Sequence, residues 1–370
     1  MNVCILGWYG SETLGDRAIL DGIIKIFESQ SFSNRYYLGS LIPFFSKRTL
    51  FQDKSYYSKG KAVDIEIFCE KDEALLKKII LKSDYVIMGG GPIMDIYEIL
   101  IIRKAFRYAK QHGIRTGLIG CGFGPFHDSF FEKVAEDIIE HTDVAIFRDE
   151  LSTQRAESCK NSIEAKTMSD PAVISALFYR ENYSSNTGDY VAVNYRDTRF
   201  KVYKDRIIDV MEDLYKLTDQ VASAFNNVKM IPMHSFFLGG DDRSYFAEML
   251  MDRRINNVDI ISEPQSIYDL YDSYSSAKGC IGMRYHAVVL QTVLNGNNIV
   301  LDYTEKKTGK ISGFLNGLNS DFYSTRYINI EDPNWLSSLD FEGLLKSTDK
   351  FVYSADSQSL ISTYSSEMFC

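Results

Sequence analysis

Short apolar runs alternate with longer stretches of helical periodicity along most of the chain. Residues 2–6 read as a strand, followed by the turn GWYGSETLGD and a helix over 17–29. Residues 35–41 and 62–68 are further strands, and 71–82 carries apolar positions at helical spacing. DYVIMGGG (84–91) is a strand running into three glycines, 97–112 is a helix, and RTGLIGCGFGPF is a strand with a second glycine-rich exit. Helix 129–141, strand 144–147 and helix 150–158 continue the rhythm. Strand, helix, strand at this spacing predicts parallel sheets built from right-handed crossovers.

YSSNTG (183–188) is polar and turn-rich and reads as a linker. The alternation then restarts: strands at 190–196, 228–234, 258–261, 279–283 and 298–302, with helices at 204–225, 242–254, 266–277 and 287–294. Beyond 335 the pattern weakens, with helices expected at 341–350 and 357–368. The expected class is α/β, with two Rossmann-like domains at 1–182 and 189–345 and a ligand cleft between them. Residues 346–370 form a carboxyl-terminal helix that could cross back to the first domain.

At 370 residues the chain exceeds one ordinary core, which agrees with two domains. Hydrophobic content of 45% and charged content of 25% fit a soluble globular protein. A net charge of −9 argues against a nucleic-acid partner, which calls for a basic field. The six cysteines are scattered, three of them in predicted strands and Cys69 just past another, where Cys behaves as a small buried hydrophobe. No secretory leader is visible and no apolar run approaches the roughly 18 residues of a membrane span, so a reduced, cytoplasmic protein is expected.

The candidate chemistry concentrates in CIGMRYHAVVLQTVLNGNNIVLDYTEKKTGK. Arg284 and His286 follow one predicted strand, and Lys306 follows the next. Carboxyl ends of neighbouring strands are where open α/β sheets bind ligands. Arg offers a planar fork for carboxylate or phosphate, Lys a compact charge, and imidazole can exchange a proton near neutrality. The group points to an anion, although strand-end Arg and Lys also pair with nearby acids and a lone His is commonly structural. Four other strand exits have similar promise. The loop with Gly7, Gly10, Gly15 and Asp16 can bring backbone N–H groups to a ligand, while Asp16 can bind a sugar hydroxyl or cap the helix. Gly89, Gly90 and Gly91 either hold backbone close to a ligand or simply turn the chain. Arg148 follows the 144–147 strand, with Asp149 placed to pair with it or cap the next helix. His234 follows the 228–234 run, as a loop histidine or a catalytic one.

Three classes are disfavoured. The glycines of the first loop do not have G-x-G-x-x-G spacing, which argues against a dinucleotide. The five histidines show no H-x-x-x-H or H-x-E spacing, so no metal is expected. G-x-S-x-G is absent, which argues against a Ser-His-Asp hydrolase.

Taken together, the motifs have an order. G-x-x-G…GD-x-A-I spans Gly7, Gly10, Gly15, Asp16, Ala18 and Ile19, and a strand then enters Gly89-Gly90-Gly91. Next come G-x-G-x-G-P (Gly120 to Pro125), F-R-D-x-x-S (Phe147 to Ser152) and S-D-P-A (Ser169 to Ala172). Last are G-M-R-x-H-A (Gly282 to Ala287) and D-Y-x-x-K (Asp302 to Lys306). This series resembles the polysaccharide pyruvyl transferase family, from residue 7 to about 310; Thr13 stands where the family usually has Asn.

The resemblance implies a GT-B-like fold and a metal-independent transferase with no cofactor, using phosphoenolpyruvate as co-substrate and a sugar, free or lipid-linked, as acceptor. The product would be a pyruvyl ketal on a capsular or other exopolysaccharide or its precursor. Arg148, Arg284, His286 and Lys306 match positions the family uses around the donor, and His286 is expected to act as the catalytic acid that protonates it. Gly10, Asp16, Gly90, Gly91 and His234 are acceptor or loop candidates. A lipid-linked acceptor would bring the protein peripherally to the inner face of the membrane. A GT-B glycosyltransferase using a nucleotide sugar and a non-catalytic carbohydrate-binding protein are the alternatives.

Overall fold

A computed structural model of the chain describes residues 1–370 except 12, 31–32, 58–62, 160–162, 200–208, 236–239, 252, 254, 264 and 370. Contacts divide it into two compact units, Met1–Ser175 with Ala355–Cys370, and Ala176–Ser354.

The first unit begins β1 (Asn2–Leu6), α1 (Leu14–Glu28), β2 (Arg35–Ser40), α2 (Pro43–Tyr57), β3 (Asp64–Cys69), α3 (Glu73–Ile80), β4 (Tyr85–Met88) and β5 (Pro92–Ile93). It continues α4 (Ile99–Gln111), β6 (Arg115–Phe123), α5 (Ser129–Glu140), β7 (Val144–Phe147), α6 (Glu150–Glu157), β8 (Ala165–Thr167) and α7 (Pro171–Asn182), the last of which runs past the division. The sheet order is β3-β2-β1-β4-β6-β7-β8, all parallel, with β5 added beside β6. Its central strands are buried throughout, which is why VCIL and YVIM read as continuous apolar runs instead of alternating ones. Leu6, Val86 and Leu118 from the sheet pack with Ile102, Phe106 and Ile138 of α4 and α5.

The second unit holds β9 (Val191–Asn194), α8 (Met211–Ala224), β10 (Val228–Met230), α9 (Asp242–Leu250), β11 (Val258–Ile260), α10 (Ile267–Ser275) and β12 (Gly279–Gly282). It closes with α11 (Tyr285–Leu294), β13 (Asn298–Asp302), α12 (Lys310–Gly317), β14 (Tyr327–Asn329) and α13 (Phe341–Lys346). Its parallel sheet has the order β11-β10-β9-β12-β13-β14. In both units the first strand has its two successors on one side and a later strand on the other. The order therefore reverses between β1 and β4 and between β9 and β12, and the crevice at those carboxyl ends is the position for a ligand.

Several elements depart from the sequence expectation. The helix expected over 204–225 is described as α8 from Met211, and residues 200–208 lie outside the described residues. α2 has no apolar stripe, and Phe44 and Phe51 on it are exposed, so periodicity gave no signal. α7 fails in the opposite way: Val173, Ile174, Ala176, Leu177 and Tyr179 are all fully buried, so apolar residues surround it. Pro171 at its first position starts the helix without losing a hydrogen bond. The division at Ser175 therefore falls inside a buried helix, whereas the polar stretch 183–188 had been the expected linker.

α14 (Ser357–Phe369) belongs to the first unit. The Phe369 ring stands edge-on to Phe27 with centroids 5.4 Å apart, and the Tyr85 hydroxyl donates to the Met368 carbonyl at 2.7 Å. No described helix is long and apolar enough to cross a membrane. Cys4, Cys121 and Cys280 are buried free thiols, and burial raises their pKa.

Just past β3, Glu70 is buried beside the first loop. Burial pushes its pKa up to about 8, with Lys71 opposing. The folded state thus holds a proton that the unfolded chain releases near the ordinary Glu value. The resulting stability is complete below that value and is lost as pH rises through about 8. Glu70→Gln removes the titration. Between pH ~5.5 and ~8.5 the wild type should lose melting temperature that the variant keeps, and equal losses would refute the assignment.

Candidate active site

In the second unit the site is built at the β9–β12 reversal. β12 ends at Gly282, and Arg284 is the N-cap residue of α11, without a side-chain cap of its own. Its backbone N–H donates to Asn194 Oδ1 of β9 at 3.2 Å, fixing the turn to the neighbouring strand. The Arg284 side chain is 7% exposed and grips Asp242, with Nε 2.9 Å from both carboxylate oxygens. Asp242 in turn accepts the backbone N–H groups of Met233 at 2.9 Å and His234 at 3.1 Å. One buried carboxylate thereby joins the exits of β10 and β12. Asp242 was not among the residues singled out from the sequence; its work is to hold Arg284.

His286 is the second residue of α11 and half-buried, its ring edge-on to Tyr285 with centroids 4.9 Å apart. It shares the opening turn of α11 with Arg284, and the helix N-terminus adds partial positive charge there that favours an anion. Lys306 is exposed on the surface, where Nζ pairs with Asp332 at 2.9 and 2.8 Å. His234 is half-buried and is tied to Asp242 through its backbone.

In the first unit three of the ordered motifs form one assembly. Arg148 follows β7 and is buried, with Nη1 3.4 Å from Asp170 of the S-D-P-A segment. A Cβ at Gly122 would stand 3.0 Å from the Arg148 guanidinium, so the glycine makes room for it. Asp149 caps α6 by accepting the Ser152 N–H at 2.8 Å, and the Ser152 hydroxyl accepts the Phe123 N–H at 2.9 Å. Asp149 thus caps α6 and also stands 4.0 Å from Arg148 Nε, so both expected roles are present.

The β1–β4 reversal brings the first loop against the triple glycine. The Tyr9 hydroxyl donates to the Gly89 carbonyl, and Trp8 Nε1 donates to the Pro92 carbonyl at 3.1 Å. Gly91 has φ +76°, and a Cβ there would lie 2.0 Å from the Trp8 indole. What Gly90 and Gly91 approach closely is therefore this chain's own Tyr9 and Trp8. Gly10, with φ +83°, fits against Ser40 and Ile42 at the exit of β2. Thr13 is the N-cap of α1, not Asp16; Asp16 instead receives the Thr13 hydroxyl. Trp8, Tyr9, Asp16, Arg17, Thr49 and Tyr57 line a small pocket that is partly open to solvent. Arg17 is locked to the buried Asp53 by two bonds of 2.6 Å.

Among the described residues one trio, Asp137, Glu140 and His141, could offer ligand atoms to a metal ion. It sits at the end of α5, where Arg107 already pairs with Asp137 at 2.6 Å.

The architecture is an α/β fold of the GT-B kind, and solved structures agree. The chain is similar to an S. aureus MnaA–UDP co-structure, with TM-score 0.63, 13% identity, and coverage of 99% of this chain and 97% of that one. It is also similar to UDP-GlcNAc 2-epimerase from Methanocaldococcus jannaschii, with TM-score 0.61, 10% identity, and coverage of 99% and 100%. An alpha-glucosyltransferase in complex with UDP matches with TM-score 0.55, 12% identity, and coverage of 99% and 94%. At these identities the likeness is one of fold. No curated protein sequence matches. Residues 14–305 match the family Polysaccharide pyruvyl transferase, and the chain belongs to that family. It is accordingly a transferase of polysaccharide pyruvylation.

Proposed function

We propose that the protein moves the pyruvyl group of phosphoenolpyruvate onto two hydroxyls of one sugar, forming a cyclic ketal and releasing inorganic phosphate. The observation that carries this reading is the placement of Arg284 and His286 together at the opening of α11, beside the β9–β12 reversal, in a chain of this family. The Arg284 guanidinium and the helix N-terminus offset the donor's negative charge, with Lys306 as a further candidate. Arg148 is a donor-binding candidate through the family motif.

His286, as imidazolium, gives its proton to the vinyl CH2 carbon, making a methyl group and oxocarbenium character at the adjacent carbon. The first sugar hydroxyl adds there and its proton passes to His286. The carbon–oxygen bond to phosphate then breaks and phosphate leaves with the electron pair. The second hydroxyl adds to the same carbon, and its proton goes to the departing phosphate. Donor and diol together thus give ketal and inorganic phosphate, with no cofactor beyond the donor. In the first unit, Gly10 and Asp16 of the first loop are the acceptor candidates, and we assign the acceptor to that strand exit. A lipid-linked acceptor would place the reaction at the cytoplasmic face of the membrane.

The test is phosphate release from phosphoenolpyruvate against galactose-, glucose- and mannose-type acceptors, free and lipid-linked. Release that depends on one acceptor, with a pyruvyl ketal on that sugar, is the expected result. Binding of a uridine or guanosine sugar nucleotide with none of phosphoenolpyruvate would replace the reading with a glycosyltransferase. Glycan binding without consumption of any donor would replace it with a carbohydrate-binding protein.

A further inference from the structure

A second group of cations stands at the same reversal in the second unit, on residues outside the family motifs quoted above, apart from the tyrosine at its centre. Arg196 lies two residues past β9, Tyr303 is the first residue past β13, and Lys310 opens α12. Tyr303 is 3% exposed. Arg196 Nη1 donates to the Tyr303 hydroxyl at 2.6 Å, and its guanidinium carbon is 4.8 Å from the ring centre. Lys310 Nζ is 5.8 Å from the same ring and 6.0 Å from that of Tyr285, the residue between Arg284 and His286. Arg196 also bonds through its backbone N–H to Met283 Sδ at 3.3 Å, next to Arg284 in sequence. Two cations, Arg196 from the exit of β9 and Lys310 from the start of α12, thus flank one phenol.

Tyr303 reports the field they create. Burial raises the pKa of a phenol, as it does for Tyr195, Tyr274, Tyr323 and Tyr327 in the same unit. At Tyr303 burial also raises it, but the charges of Arg196, Lys310 and Arg284 and the bond from Lys310 outweigh that and bring it down to about 8. The acids nearby are engaged on their own partners: Asp242 with Arg284, Asp197 with Arg199, and Asp302 with Thr304 and Tyr327.

We propose that Arg196 and Lys310, with Tyr303 held between them, are anion-binding residues of the donor site, receiving the phosphate or carboxylate of phosphoenolpyruvate beside Arg284. The proposal deepens the phosphoenolpyruvate reading and rests on it for the identity of the anion. A bound anion takes up the field of the two cations, so the phenol must become harder to ionise when the site is filled.

The experiment uses the full chain. The tyrosinate absorption band is followed as pH is raised from neutrality, with and without saturating phosphoenolpyruvate, in wild type and Tyr303→Phe. Calorimetry measures phosphoenolpyruvate binding to wild type, Arg196→Met and Lys310→Met. In the free wild type one phenol should ionise with a midpoint of about 8, and this step should be missing from Tyr303→Phe. Phosphoenolpyruvate should move the step to higher pH, and each Met variant should bind it at least about tenfold more weakly. Affinity within about twofold of wild type in both variants, or a titration unmoved by bound ligand, overturns the proposal. If wild type ignores phosphoenolpyruvate but inorganic phosphate or uridine diphosphate binds and moves the Tyr303 step, the anion site stands and the donor reading falls. If none of the three anions binds, the proposal falls.

Discussion

Replacing His286 by alanine should lower turnover by about 10²–10⁴-fold, the usual contribution of a positioned general acid, while phosphoenolpyruvate still binds. The separation follows from where the residue sits. His286 lies in the first turn of α11, a position where alanine is a good helix former, so truncation leaves the Arg284 turn standing. The donor's charge is met by Arg284 and the helix N-terminus, which the substitution does not touch. Turnover at saturating donor and acceptor, set beside calorimetric donor affinity, gives the answer. Wild-type-like turnover would remove His286 from the chemistry.

Asp242→Ala should destabilise the protein by about 3–5 kcal/mol, because it strands the buried Arg284 charge. The pair is well suited to this test, since Asp242 is 1% and Arg284 7% exposed. The same change also leaves the Met233 and His234 N–H groups without their acceptor, which places the loss toward the upper end. Thermal or urea melts read it directly. The double variant Asp242→Leu with Arg284→Met should regain much of the stability and still fail to bind the donor, because an apolar pair can replace a buried ion pair in packing but cannot bind an anion. A single variant that melts within about a degree of wild type would show that the pair carries no structural load. A double variant with normal donor affinity would take Arg284 out of the site.

What could be read from the sequence followed from burial on both faces of a parallel sheet. The central strands are apolar runs bounded by glycine or polar turns, and the residue types waiting at their exits are visible without a structure. Arg148, Arg284 and His286 were legible for that reason. Arg196 stands at an exit by the same logic, two residues past β9, and could have been found by asking of the restart strand what was asked of the others. Lys310 could not, because it reaches Tyr303 from the start of α12 and not from a strand. Asp242 was hidden by its distance in sequence: 42 residues separate it from Arg284. Helices with a clean apolar stripe, such as α4 and α5, were legible; α2, exposed on too many sides, and α7, buried on all of them, gave periodicity nothing to report.

The return of α14 to the first unit sets the order in which that unit can be finished. Phe27 and Tyr85 belong to its opening half, yet the ring and carbonyl that meet them come from Phe369 and Met368. During synthesis from the amino end, those aromatic surfaces stay uncovered while residues 176–354 are made. The second unit is in effect an insertion within the first, and its sheet can form before α14 arrives to finish the unit that precedes it. A nascent chain halted before residue 355 therefore presents a finished second sheet and an open apolar seam on the first, the kind of surface that chaperones hold.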